Sequence, residues 1–112
     1  MKLKVLDRLA VSSVLPAQGN FITLSVAAEI RNKIKIDEDE RTRLNFVGNP
    51  DGSIGWNPVL DQPVAFSFSD IEKVMIKKAF RELDASNKLN TDQLGAFRLF
   101  VLEPPALENT NG

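Results

Sequence analysis

Residues 44–57 read Leu-Asn-Phe-Val-Gly-Asn-Pro-Asp-Gly-Ser-Ile-Gly-Trp-Asn. Within them the apolar period changes. Leu44 and Phe46, then Ile54 and Trp56, alternate with small or polar residues, which is the two-residue repeat of a half-buried strand. Between the two pairs, Asn49-Pro50-Asp51-Gly52 supplies turn chemistry. Proline is pre-set for the second position of a type I turn, and glycine takes the left-handed conformation that follows it in a hairpin. A hairpin flanked by helical periods on both sides predicts an α+β fold.

On the N-terminal side, Leu3, Leu6, Leu9, Ala10 and Val14 recur at helical spacing, so a helix is expected over 3–14 with Lys4, Asp7, Arg8 and Ser12 between its apolar positions. It must stop at Leu15-Pro16, because the residue before proline is pushed out of the α region. After the turn Ala17–Asn20, a second helix is expected from about Phe21 to Ile34, burying Leu24, Ala27, Ile30 and Ile34. Asp37 followed by Glu40 reads as the cap and third position of a short third helix that ends near Leu44.

On the C-terminal side, Pro63–Phe68 reads as a third strand with Val64, Phe66 and Phe68 on one face. Ser69 and Glu72 form a capping box that opens a fourth helix running to about Ala85, with Ile71, Met75, Ile76, Ala79, Phe80 and Leu83 inward. Asn90 and Gln93 repeat that logic for a fifth helix, Thr91 to Val101, burying Leu94, Phe97, Phe100 and Val101. Gly95 inside it costs about 1 kcal/mol relative to alanine, which a close helix contact would justify. The expected architecture is α+β: an N-terminal three-helix unit, a small antiparallel sheet made of the hairpin and a third strand, and two C-terminal helices. Residues 1–102 form one domain in this reading, and 103–112 a flexible tail. The expected core is Leu6, Leu9, Ile30, Ile34, Leu44, Phe46, Ile54, Trp56, Phe66, Ile76, Phe80, Leu83, Phe97 and Phe100.

Composition narrows the chemistry. The 112 residues include no Cys, no His and no Tyr. Thiolate nucleophiles, imidazole bases, disulfides and Cys- or His-ligated metals are therefore excluded. The net charge of −1 hides an asymmetry. Residues 1–36 carry six basic side chains (Lys2, Lys4, Arg8, Arg31, Lys33, Lys35) against Asp7 and Glu29, and the rest carry eight basic against thirteen acidic. No apolar run approaches the roughly 20 residues of a membrane span. Asp7 and Arg8 interrupt the apolar stretch that a signal peptide would need, so a cytoplasmic location is expected.

The remaining constellations read mainly as structure. Asp37-Glu38-Asp39-Glu40 lacks the glycine bend and alternating ligands of a calcium loop, and carboxylates suit the first turn of a helix. No glycine-rich phosphate loop is present, and no cofactor is expected. Lys73, Lys77 and Arg81 recur every four residues, forming a cationic row on the fourth helix that reads first as a solvated face with Glu82 and Asp84 nearby, and otherwise suits phosphates or an acidic partner. Trp56, near a strand end, is the aromatic residue expected to mark an interface. The order helix, helix, short helix, hairpin also matches the layout of a winged helix, in which Lys33, Lys35, Arg41 and Arg43 would face DNA. Four carboxylates at the start of the would-be recognition helix oppose that reading.

Taken as a set, Leu15-Pro16, Gly19-Asn20-Phe21 with Thr23, Ile30-Arg31, Asp39-Glu40, Gly52-Ser53-Ile54, Trp56-Asn57, Ile71 through Leu83 and Lys88-Leu89-Asn90-Thr91 resemble a group of short uncharacterised proteins encoded in tailed-phage and prophage genomes. The resemblance spans residues 5–101. It implies a phage-type origin, hence the host cytoplasm or the virion, and brings no activity or functional residue with it. The sequence thus leads to a small non-catalytic protein that binds another protein or itself, as a homodimer for example. A winged-helix-like DNA-binding regulator is the alternative.

Overall fold

The first four helices start where side-chain oxygens can satisfy their leading amides. In the computed structural model, which describes residues 1–102, helix α1 (Val5–Val14) opens with the Lys4 amide donating to Asp7 Oδ2 at 3.1 Å and the Val5 amide to Asp61 Oδ1 at 3.1 Å. It stops at Leu15, whose backbone is extended ahead of Pro16. Asn20 caps α2 (Phe21–Ile34) by accepting from the Thr23 amide, and Asp37 caps α3 (Glu38–Arg43) by accepting from the Glu40 amide, both at 2.8 Å. The Ser69–Glu72 capping box of α4 (Asp70–Ala85) is present in both directions. Asn45 and Asn87 take the left-handed conformation after α3 and α4, with φ of 57° and 59°.

The architecture is α+β: an N-terminal helical region, two small antiparallel sheets and C-terminal helices. The hairpin forms as read, with strand β2 (Val47–Gly48) against β3 (Ile54–Gly55) and Val47 facing Gly55. Its turn closes when the Gly52 amide donates to Asn49 O at 2.9 Å, with Gly52 at φ 88°. The expected third strand also forms, as β4 (Val64–Ala65), but it does not join the hairpin. Its partner is β1 (Lys2–Leu3), with Leu3 facing Val64. Leu3 is therefore in an extended segment ahead of α1, not in the first turn of a helix.

The C-terminal helix is less regular than its sequence suggests. A 3₁₀ turn, Thr91–Gln93, leads into α5 (Leu94–Phe97), which widens into a π-turn over Arg98–Leu102. A Cβ on Gly95 would lie 2.9 Å from Asp7 Oδ1, so the absent side chain lets this segment approach the start of α1. The segment 103–112, read above as a tail, lies outside the described residues.

Two apolar clusters share α1. The larger gathers Leu3, Val11, Ile30, Ile76, Phe80 and Phe100, among others. Its aromatic rings pack edge-on (Phe68 to Phe100 at 5.7 Å, Phe80 to Phe97 at 6.2 Å) or stacked (Phe80 to Phe100 at 6.5 Å). The smaller joins Val5, Ile36 and Leu44 to Leu9, Phe46 and Trp56. Ile54, Leu6, Leu24, Ile71 and Leu94, all expected inside, are exposed. For Leu6 the cause is clear: the inward row of α1 runs through Val5, Arg8, Val11 and Leu15, and so includes a charged residue.

Phe80→Ala is expected to lower unfolding free energy by about 3–5 kcal/mol through the cavity it leaves. Ile54→Ala, at a side chain left 51 % exposed, is expected to change it by no more than about 0.5 kcal/mol. Urea denaturation followed by circular dichroism measures both.

Candidate functional site

Helix α2 ends without a glycine, so its last carbonyls need a donor from elsewhere. Arg8 provides it. Its Nε donates to Ile34 O at 2.9 Å and its Nη2 to Lys35 O at 2.7 Å. The same guanidinium grips both oxygens of Glu40 in α3, at 2.7 and 3.0 Å. Its Cζ lies 5.0 Å from the centre of the Phe66 ring. Only 4 % exposed, Arg8 fixes the corner between α2 and α3 from across the fold. Arg8 also holds the Glu40 carboxyl below its ordinary value of 4.5.

Beside this corner lies an open groove of about 510 Å³. Arg31 and Lys35 at the end of α2 and Arg41 of α3 line it together with Leu9, Phe46 and Ile54. The Arg31 Nη2 donates to Leu15 O at 3.2 Å, and the Arg41 Nε to Ile36 O at 3.3 Å. Main-chain carbonyls thus hold both guanidiniums in place without neutralising them.

Of the four residues that a DNA-binding reading requires, the structure brings Lys35 and Arg41 to this groove and takes the other two elsewhere. Lys33 Nζ donates to Glu72 Oε1 at 2.6 Å and to Ser67 O at 3.0 Å. Arg43 lies 3.9 Å from Glu40. Burial pushes the Glu72 carboxyl up, yet Lys33 and the Ser69 amide outweigh it and leave the group below its ordinary value.

Trp56 is half-buried. Its ring stacks on Phe46 at 5.6 Å and its Nε1 donates to Asp61 Oδ2 at 3.2 Å, so its polar edge is used within the fold. Asp61 thereby links the hairpin to the start of α1, a role its place in a loop did not announce. Lys73, Lys77 and Arg81 share a face of α4 as expected, and none lies within 4.0 Å of a carboxylate oxygen among the described residues.

A second, more apolar groove of about 760 Å³ runs along another face of α4, lined by Val14, Pro16, Thr23, Ile71, Val74 and Met75 among others. Ile71 and Val74 stand 57 % and 63 % exposed. In the first turn of α2, next to Thr23 of this groove, Phe21 is 84 % and Ile22 68 % exposed.

Among the described residues no three carboxylates converge to hold a metal ion, and no helix is long and apolar enough to cross a membrane. Compared with known protein families, curated proteins and solved structures, the chain matches none.

Removing the central cation leaves Glu40 and two carbonyls without their donor, so Arg8→Met is expected to destabilise the fold by about 3–5 kcal/mol, read by chemical denaturation. Because the folded carboxyl of Glu40 titrates below its ordinary 4.5, its contribution is complete above that pH and is lost as pH falls through the folded value. The Glu40→Gln protein is therefore expected to show a shallower fall in unfolding free energy on acidification below 4.5 than the wild type.

Proposed function

We propose that this is a small non-catalytic interaction protein of phage type, acting by binding another protein or a second copy of itself. The observation that carries the reading is the set of large apolar side chains left in water at Phe21, Ile22, Ile71 and Val74. Contiguous exposed apolar surface costs solubility and marks contact sites. Ile71 and Val74 line a groove and Phe21 and Ile22 adjoin one of its residues in sequence, while the cationic row of Lys73, Lys77 and Arg81 lies on the neighbouring face of α4. The phage-type origin rests on the sequence resemblance. The absence of Cys and His supports a role without catalysis.

One observation favours DNA binding as the second reading: Lys35 and Arg41 line the groove beside the hairpin. The engagement of Lys33 by Glu72 and the carboxylates of Asp37–Glu40 weaken it, since a polyanion needs a continuous cationic track.

Sedimentation over a wide concentration range tests the first reading. The expected result is a mass above the 12.4 kDa of one chain, or a partner captured from host lysate, with either lost in the Ile71→Asp/Val74→Asp double variant. A strict monomer, with identical captures by wild type and variant, contradicts it. Titration with mixed-sequence duplex DNA at low salt, where counterion release is most favourable, is expected to show no binding; saturable binding there would establish the second reading instead.

A further inference from the structure

We infer that the groove between the α2–α3 corner and the hairpin binds an acidic peptide segment of a partner protein, one in which carboxylates flank a large apolar side chain. This deepens the protein-binding reading and rests on it, but at a different surface from the apolar groove of α4.

The ion pairs within 4.0 Å among the described residues are Arg8–Glu40, Lys33–Glu72 and Arg43–Glu40. None of them involves Arg31, Lys35 or Arg41, the three cations that meet in this groove with Arg8, whose charge Glu40 already balances. Glu38 is the one carboxylate in the lining. The site is therefore positive in balance, and low-dielectric walls on either side focus that potential. Its cations are also positioned in advance. Arg31 uses one nitrogen on the Leu15 and Pro16 carbonyls, and Arg41 uses Nε on Ile36 O. Both keep further N–H groups, with Lys35 Nζ, that meet no acceptor among the described residues. Guanidiniums held in this way lose little freedom when they take a carboxylate in paired hydrogen bonds.

The other half of the lining sets the second requirement. Leu9, Phe46, Val47 and Ile54 are apolar, and Val47 and Ile54 are exposed. A ligand that offered charge alone would leave that surface wet. A bare Gly48 edge, where a Cβ would meet nothing within 4 Å, leaves room for a backbone to approach. A peptide supplies carboxylates spaced by an apolar side chain. A polynucleotide supplies phosphates without a break and no aliphatic side chain for Leu9, Val47 and Ile54. Its bases would need an open aromatic face, whereas Phe46 is already stacked on Trp56.

The single Trp56 reports on the site because Phe46, its stacking partner, lines the groove. The full chain is titrated with a synthetic peptide alternating Glu and Leu, and Trp56 emission is followed. A saturable change is expected, absent with the Gln-for-Glu peptide. Affinity is expected to fall by at least about tenfold in Lys35→Glu/Arg41→Glu and to hold in Lys88→Glu/Arg98→Glu, which alters net charge equally at exposed positions outside the groove. Circular dichroism confirms that both variants fold. No saturable change, equal binding of the neutral peptide, or full affinity in the groove variant overturns the inference, and tighter competition by duplex DNA transfers the site to nucleic acid. If the peptide fails while Ile71→Asp/Val74→Asp still alters assembly or capture, this inference falls and the protein-binding reading stands.

Discussion

One guanidinium holds the N-terminal half of the fold in register. Arg8 projects from α1 into the corner where α2 gives way to α3 and takes up the final carbonyls of α2. A helix that ends without a glycine or asparagine in the left-handed conformation leaves those oxygens in search of a donor. Through Glu40 the same group ties down α3, and over the Phe66 ring it meets the segment that follows β4. A buried arginine without partners would be strongly destabilising; with four hydrogen bonds and a ring face, it converts a desolvation cost into geometric definition.

The positions of the two grooves follow from this arrangement. Because Arg8 holds α3 against α1, the smaller apolar cluster around Val5, Ile36 and Leu44 closes under the hairpin. Phe46 and Trp56 then stack at its margin, and the cations at the end of α2 gather beside them. The apolar groove of α4 arises differently. That helix needs only one face to cover Ile76 and Phe80, and Ile71 and Val74 lie off that face, lining the groove and standing exposed.

The features legible in the sequence are those whose physics is local. Asn20, Asp37 and the Ser69–Glu72 pair announce helix starts within four residues of their partners, and Asn49–Gly52 announces its own turn. Non-local pairing leaves no such mark. The alternation at 63–68 marks β4 as a strand but not its partner, and β1 is two residues long, too short for such a pattern; the two meet across more than half of the chain. Arg8 stands between the apolar positions of its helix, where a charge usually faces water; the sign that it turns inward lies elsewhere, in the missing glycine after Ile34. Lys35 and Arg41 were visible as cations near a hairpin. Arg31 joins them only because α2 runs alongside the α1–α2 turn, a tertiary fact. Helical spacing assigns Ile71 to the core, but spacing defines a face and not the number of neighbours available to cover it.

The β1–β4 ribbon bears on the order in which the chain folds. Capped helices and a four-residue turn require closure of short loops only, whereas Leu3 reaches Val64 after α1, α2, α3 and the hairpin have been spanned. Loop-closure entropy makes such contacts late and slow relative to local ones. Leu3 is nonetheless completely buried in the main cluster. A contact that loop-closure entropy disfavours thus helps to seal the core, and without β1 the apolar interior would be open to water along the seam that it covers.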